Sequence, residues 1–467
     1  MRSSEANRDP ARVRWDGNFG REAVKSGLFG SAPLSPIARR TVLAGCIGFA
    51  VDFFDIYLPV LALAPVTKYF EPPGLSSAAT TTVYFFTFAA TLLGRPCGAV
   101  IFGHWADRIG RRRTTMVSIA GFGVFTLLIA CLPGYASIGI WSLVLLILLR
   151  FVDGVFMGGE YTSNNTLALE MVPKDRRGLV GGIIQGAYPI GFFFVSVITT
   201  IMLSATTPAQ YHVWGWRIPF VFGAILALLF LLYYRTVPES TLWLEAEKSE
   251  APLKEVLSGS HGRNLVQILI MMLGFWFGSQ AAIGVMPGVL IQHLHVPSQT
   301  MTNGLLVTSF IQFFGFVAFG LLSQMIGRRL AIIISGAEIL ILGCGLYAAA
   351  IAHGLGGGGP ALTTAIACLF YLLVVSPWGI VTTYLCERFP THLRASGYGI
   401  GYSLAVVIPA FAGLYMLGLR AFMPYVYTPV VLVGVSGVLI IIGAMMGPET
   451  RDVELHAPDL GKVRAVA

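Results

Sequence analysis

The sequence predicts an all-α integral membrane protein, with twelve transmembrane helices in two six-helix bundles. Three observations carry that expectation. Hydrophobic residues make up 55% of the 467 and charged residues only 12%, at a mean hydropathy of +0.74. A soluble chain runs near a quarter charged, because it must solvate its surface. Apolar runs long enough to cross a bilayer, about 20 residues each, recur along the chain. Short polar motifs repeat between its two halves at one fixed offset. The first observation alone excludes a soluble enzyme. The 54 glycines and 12% aromatics suit close helix packing and interfacial belts in a membrane.

Residues 1–40 form a polar, Arg-rich tail with no cleavable signal, because the first apolar run is already long enough to span. Six spans follow at 41–63, 80–102, 113–132, 139–160, 179–203 and 216–235, so the first bundle occupies 41–235. A polar linker, 236–263, precedes six more spans at 265–291, 302–325, 331–352, 361–386, 395–418 and 426–447. The second bundle is therefore 264–447 and a short tail, 448–467, ends the chain.

Charge placement orients these spans. With the N-terminus inside, one side receives Arg108, Arg111 to Arg113, Lys174, Arg176, Arg177, the linker cations and the pairs Arg328/Arg329 and Arg388/Arg394. The other side holds only Lys68, Arg217 and Arg420, while Arg95 and Arg150 lie inside spans. Cytoplasmic loops are the basic ones, so both termini are expected in the cytoplasm. The net charge of +8 is thus an orientation signal, and no nucleic-acid partner is expected. The six cysteines show no paired spacing and read as packed free thiols. No histidine or cysteine spacing fits a metal, and no nucleotide motif or nucleophile triad is present, so no metal, cofactor or ATP-driven step is expected.

The halves are duplicates. Gly103-His-Trp-Ala-Asp107-Arg108-Ile-Gly110-Arg111-Arg112 reappears as Gly320-Leu-Leu-Ser-Gln324-Met-Ile-Gly327-Arg328-Arg329, 217 residues later. Glu170, Pro173, Arg177 and Gly182 reappear at the same offset as Glu387, Pro390, Arg394 and Gly399. Pro238-Glu239-Ser240 after span six is echoed by Pro448-Glu449-Thr450 after span twelve. Two such bundles joined by a linker are the plan of many secondary transporters.

These residues resemble the major facilitator superfamily, from residue 41 to about 450. Gly103-x-x-x-Asp107-Arg108-x-Gly110-Arg111-Arg112 is similar to that superfamily's motif between spans two and three, and Arg150-x-x-Asp153-Gly154 is similar to its span-four motif, with Asp where Gln is more usual. Gly94-Arg95-Pro96, Gly158-Gly159-Glu160, Trp214-Gly-Trp-Arg217 and Glu387-x-Phe389-Pro390 narrow the resemblance to the metabolite:proton symporter branch. That branch carries organic acids, sugar acids and zwitterionic osmolytes. In span one Asp52-Phe-Phe-Asp55 stands where the branch tends to show Glu-x-Tyr-Asp, so the acid is kept but shortened.

Ionisable groups inside spans cost several kcal/mol unless paired or wet, which makes them functional candidates. Asp52 and Asp55 share one helix face near mid-depth of span one, and Arg150 lies midway along span four. Together they read as a proton switch, in which the cation keeps the acid ionised until a proton or an anion competes. The other reading is a fixed salt bridge, with Asp153 as a local partner for Arg150. Arg95 reads either as an anion-binding group or as a latch to the adjacent loop. Gln185, Tyr188, Trp276, Gln280, Gln312 and Trp378 are mid-span polar or aromatic groups, read as substrate contacts or as packing. Pro189, Pro287, Pro377 and Pro409 interrupt spans and are expected to bend them. By resemblance, Gly103, Asp107, Arg108, Gly110, Arg111, Arg112, Glu160, Glu170 and Arg177 form a cytoplasmic gate with Gly327, Arg328, Glu387 and Arg394. In that gate Glu160, ending span four, and Glu170 pair with the Asp107 and Arg111/Arg112 loop. For Asp107 the other reading is a solvated loop charge that only fixes topology.

The expectation is a monomeric secondary transporter of a bacterial inner membrane, importing a small polar metabolite with protons by alternating access. The lipid bilayer, the substrate and protons are its partners. A uniporter or exporter on the same scaffold is the alternative, followed by a non-transporting sensor.

Overall fold

The computed structural model describes residues 34–74 and 77–455. Most of the expected N-terminal tail and the end of the C-terminal tail lie outside the described residues. Twelve long helices run in series: α1 (Pro36–Leu63), α2 (Ser77–Ile109), α3 (Arg111–Ala130), α4 (Trp141–Glu170), α5 (Lys174–Ala205), α6 (Pro208–Tyr234), α7 (Gly259–Gln292), α8 (Ser298–Ile326), α9 (Arg328–Leu355), α10 (Pro360–Glu387), α11 (Thr391–Leu419) and α12 (Tyr425–Met446). Among the described residues eleven of these are long and apolar enough to cross a membrane, and α2 is a continuous helix of 33 residues. There is no strand among the described residues. Phe310, Ile341 and Leu414 are more than half exposed on outward faces, a surface suited to lipid rather than water.

Sequence chemistry explains where these helices start and bend. Ser35 caps α1 by accepting from the Ala38 amide at 3.1 Å, with Pro36 at the first position. Helices α2 and α3 are joined by Gly110 alone, and α8 and α9 by Gly327 alone, at φ of 110° and 100°. Only glycine adopts that backbone freely, which is why both copies of the repeated motif keep it. A carboxylate fills each corner. Glu239 accepts from the Arg111 and Arg112 amides at 3.1–3.2 Å, and Glu449 from the Arg328 and Arg329 amides at 2.8 and 3.1 Å. Both sit where helix N-termini favour negative charge.

The four prolines interrupt their helices as expected. Regular α-helix stops at Gln185 before Pro189, at Val375 before Pro377 and at Leu404 before Pro409. Ahead of Pro287, α7 loosens into a π-helical stretch, Gln280–Val285. Each proline lacks the amide that would bond the carbonyl four residues back. The broken helices are α5, α7, α10 and α11, which carry most of the aromatic groups described below. The first half and the second half meet mainly through one end of the molecule. There α2 and α4 pack on the first part of α11, and the first part of α5 packs on α8 and α10. This is the end that carries the basic loops, here the basic end.

Several helices extend beyond their expected spans, with α6 starting at Pro208 and α7 at Gly259, inside the expected linker, and the end of α4 differs most. The fourth span was expected to end at Glu160, but α4 runs on to Glu170, and every residue from Met157 to Glu170 is buried. The polar run Glu160-Tyr-Thr-Ser-Asn-Asn165 reads as a helix end because such residues normally face water. Inside the protein Thr162 and Ser163 bond carbonyls of their own helix, while Ser163, Asn164 and Asn165 also bond Thr115, the Ala44 carbonyl and Tyr398 of neighbouring helices.

Candidate functional site

Two sets of polar groups stand out, one at the centre of the first half and one at the basic end. At the centre, Asp55 is tightly held. Its Oδ2 lies 3.1 Å from Arg150 Nη1 and its Oδ1 accepts from the Thr126 hydroxyl at 3.0 Å. Arg150 also lies 3.0 Å from Asp153 Oδ2 and donates to the Asp55 backbone carbonyl at 3.2 Å. Arg150 thus pairs with acids on two helices, tying α1 to α4 and itself to its own helix. Asp52, one turn earlier, has a looser setting. Arg95 Nη2 approaches its Oδ2 at 3.5 Å, and neither carboxyl oxygen has a hydrogen bond. Asp52 and Arg150 are fully buried, and Asp55 and Arg95 nearly so.

Arg95 does not reach back to the gate loop. Its guanidinium lies over the Tyr161 ring, 4.6 Å from the centroid, a cation–π contact that holds the planar group in place. Glu160 is a correction. Because α4 continues past it, Glu160 points into the first half, where it accepts from Asn164 at 2.7 Å and abuts Gly48 of α1. It makes no hydrogen bond or ion pair with Asp107 or Arg111/Arg112. The centre thus holds four carboxyl groups, Asp52, Asp55, Asp153 and Glu160, against two guanidinium groups.

Across from Arg95, the second half presents aromatic groups. Tyr161 packs on Tyr402 with centroids 5.0 Å apart, and its hydroxyl is hydrogen-bonded to Ser403. Trp276 stacks edge-on to Trp378 at 4.8 Å and donates to the Tyr402 carbonyl at 2.9 Å. Gln185 donates to the Trp378 carbonyl at 3.1 Å, joining α5 to α10. Beside it, the Tyr188 hydroxyl sits 3.0 Å from both Tyr57 and Tyr371. The structure therefore brings Arg95, Gln185, Trp276 and Trp378 around one centre, with Tyr188 on a neighbouring hydroxyl chain. Gln312 and Gln280 stand apart. Gln312 donates to Ser376 at 3.0 Å within the second half, and Gln280 opens the π-helical stretch of α7.

Sequence reasoning missed Tyr161, Tyr402, Tyr57 and Tyr371. A tyrosine in a span is usually packing, so single positions carried no signal. The polar run after Glu160 did carry one, but it was taken for a helix end.

The basic end is built twice. Asp107 accepts from the Ala395 and Ser396 amides at 3.1 and 2.9 Å, capping the α-helical part of α11. Gln324, at the repeated position, accepts from the Gly178 amide at 3.1 Å and so caps α5. Arg111 lies 3.1 Å from both Asp107 and Glu170, and Arg394 lies 2.6 Å from Glu170. In the other copy Arg328 lies 3.2 Å from Glu387 and Arg177 lies 3.9 Å from it. Gly103 faces Ser396, whose Cα is 2.9 Å from where a Cβ would stand, and Gly320 abuts the Gly178 carbonyl. The halves touch here without side chains between them. Besides Glu160 and the corner glycines Gly110 and Gly327, two further expected gate residues play no part in this cross-half contact. Arg108 is exposed, and Arg112 donates to the Arg235 carbonyl at 2.9 Å within its own half.

Comparison with known proteins agrees with this architecture. The family model described as Major Facilitator Superfamily matches residues 45–414. The inner membrane metabolite transport protein YhjE of Escherichia coli (strain K12) is 31% identical over 405 residues, covering 85% of this chain and 91% of that protein. The shikimate transporter of the same organism is 29% identical over 377 residues, covering 79% and 85%. Among solved structures, the proton:xylose symporter XylE superposes with a TM-score of 0.71 at 20% identity, covering 89% of this chain and 96% of that one. The chain belongs to the Major Facilitator Superfamily: it is a multi-pass membrane transporter of metabolites, and not an enzyme.

Proposed function

We propose that this chain is a proton-coupled importer of a small organic anion, working by alternating access. The observation that carries the reading is the charge balance at the centre of the first half. Four carboxyl groups share two guanidinium groups in a region with almost no water contact. A dry interior tolerates unpaired charge poorly, so this cluster is suited to taking up a proton. Asp52 is the proton carrier in this reading, because of the two span-one acids it has the looser guanidinium partner. Asp55, held by Arg150 and Thr126, keeps α1 and α4 in register.

The coupling follows from Arg95. With Asp52 ionised, the guanidinium is drawn toward the acid. Proton uptake by Asp52 weakens that attraction and leaves Arg95, braced over Tyr161, for a substrate carboxylate. Trp276, Trp378 and Tyr402 then supply an aromatic wall opposite, and Gln185 an amide. A proton and a monoanion cross together without net charge. An inside-negative potential, which acts at about 2.3 kcal/mol per charge per 100 mV, then does not oppose them. Shikimate, the cargo named for one relative, is a carboxylate, and the XylE neighbour is a proton symporter; both support the reading.

The basic end is the cytoplasmic side of a bacterial inner membrane in this proposal, by the positive-inside rule. The state described is then the one closed toward the cytoplasm, with Asp107, Glu170, Arg111 and Arg394 as the latch. The carrier acts as a monomer.

Uptake into proteoliposomes tests this, using radiolabelled organic acids, sugar acids and betaines with and without an inward proton gradient. Gradient-driven accumulation of a carboxylate is expected, abolished in Asp52→Asn, while exchange of substrate across the membrane persists. Asp55→Asn is expected to lower the yield of folded protein instead. Uptake that equilibrates and ignores both gradient and Asp52→Asn would leave a uniporter.

A further inference from the structure

A second polar site lies away from the centre, at the basic end of the second half alone. An open cavity of about 560 Å³ is lined by Arg263, Asn264, Val266 and Gln267 of α7, by Arg388 after α10 and by Met446 at the end of α12. We propose that this cavity holds the headgroup of an anionic phospholipid from the leaflet at that end.

The first support is uncompensated charge. The guanidinium of Arg388 is half-buried and held only by neutral amides, donating to Asn264 Oδ1 at 2.7 Å and to Gln267 Oε1 at 3.2 Å. Gln267 is itself fixed, since its amide nitrogen donates to the Gly443 carbonyl at 2.5 Å. Among the described residues no carboxylate ion-pairs with Arg388 or Arg263, whereas Arg111, Arg150, Arg177, Arg328 and Arg394 each have one. A partly desolvated guanidinium with no anion of its own is a site for one. The first turn of α7 adds amides with no side-chain cap, which also favour an anion.

The second support is the rim. Val266 and Met446 are 53% and 54% exposed, so the charges open directly onto apolar, lipid-facing surface. A soluble anion has no use for that rim, whereas an acyl chain lies along it. A zwitterionic lipid would bring its own ammonium against two guanidinium groups. Basic pockets between transmembrane helices on one leaflet are suited to anionic headgroups for these reasons.

The third support is the duplication. At the positions 217 residues earlier than Arg263, Asn264, Gln267 and Arg388 stand Cys46, Ile47, Ala50 and Met171. The first half builds the same fold with none of these polar groups, so the fold does not require them. Arg388 directly follows Glu387, the acceptor for Arg328, so a bound headgroup ties the charge of the leaflet to the latch.

The test uses the purified full chain with dioleoyl phosphatidylglycerol, dioleoyl phosphatidylcholine and sn-glycerol 3-phosphate as probes. Native mass spectrometry reads retained lipid and a thermal melt reads stabilisation. The expected result is retention of phosphatidylglycerol and a raised melting temperature, neither given by phosphatidylcholine. Arg388→Gln and Arg263→Gln should each reduce retention roughly tenfold, the loss of one charge-assisted phosphate contact. Lys254→Gln removes an equal charge outside the cavity and should change nothing. Val266→Trp fills the rim while leaving both arginines, and should also reduce retention, which keeps the test decisive if Arg388→Gln does not fold. Equal retention of the two lipids, retention unaffected by Arg263→Gln and Val266→Trp, or the same stabilisation by sn-glycerol 3-phosphate would overturn the proposal.

Discussion

Arg95 is the side chain on which the proposed coupling turns, and its chemistry is specific to a guanidinium. It faces a carboxylate at 3.5 Å and an aromatic ring at 4.6 Å, a geometry that a planar, delocalised cation satisfies and a lysine ammonium does not. Arg95→Lys should keep the fold and raise KM for an anionic substrate by about tenfold or more, the loss of a charge-assisted contact, measured by counterflow in proteoliposomes. Tyr161→Phe keeps the ring under the cation and should have a much smaller effect on KM. The charged groups were readable from sequence because each interrupts an apolar run, where an unpaired charge is costly. That reasoning found Asp52, Asp55, Arg95 and Arg150 but not their distances, so the difference between the loose Asp52 pair and the tight Asp55 pair emerges only in three dimensions. Glu160 shows the limit in the other direction. Its residue type was informative, but its partner depended on where α4 ends.

Among the elements, the single-residue joints between α2 and α3 and between α8 and α9 concentrate the most constraint in the least chain. Gly110→Ala and Gly327→Ala should each destabilise the protein by more than about 1–2 kcal/mol, the cost of a side chain in left-handed backbone, because the added Cβ also meets the Glu239 or Glu449 carboxylate, read by thermal or urea melts in detergent. Glu239→Gln should be milder, because it retains an acceptor for the Arg111 and Arg112 amides while losing the charge at the helix end. Span number, order and proline bends were legible because hydropathy and the missing proline amide act locally. The capping role of Glu239 and Glu449 was not. Their sequence echo was visible, but the amides they satisfy lie 120 or more residues away along the chain, and no local pattern encodes that.

Over the whole molecule, the two halves are related by the repeat and yet latched unequally. Asp107 and Glu170 give one copy of the latch two carboxylates, while Gln324 and the 3.9 Å Arg177–Glu387 contact give the other less. A hydrogen bond to a charged group is worth roughly 1.5–3 kcal/mol. Asp107→Ala should therefore move the population away from the closed basic end by about tenfold or more, whereas Gln324→Ala should move it less. Spin-label distances between the ends of α2 and α11 measure both, and equal shifts would contradict the asymmetry. The arrangement also bears on biogenesis. Glu170 waits 224 residues for Arg394, and Asp107 waits 288 for the Ala395 amide. While the ribosome is still making the second half, Asp107 and Glu170 have Arg111 of their own half but lack the donors that α11 will bring. The basic end therefore completes its set of bonds only once α11 has been made.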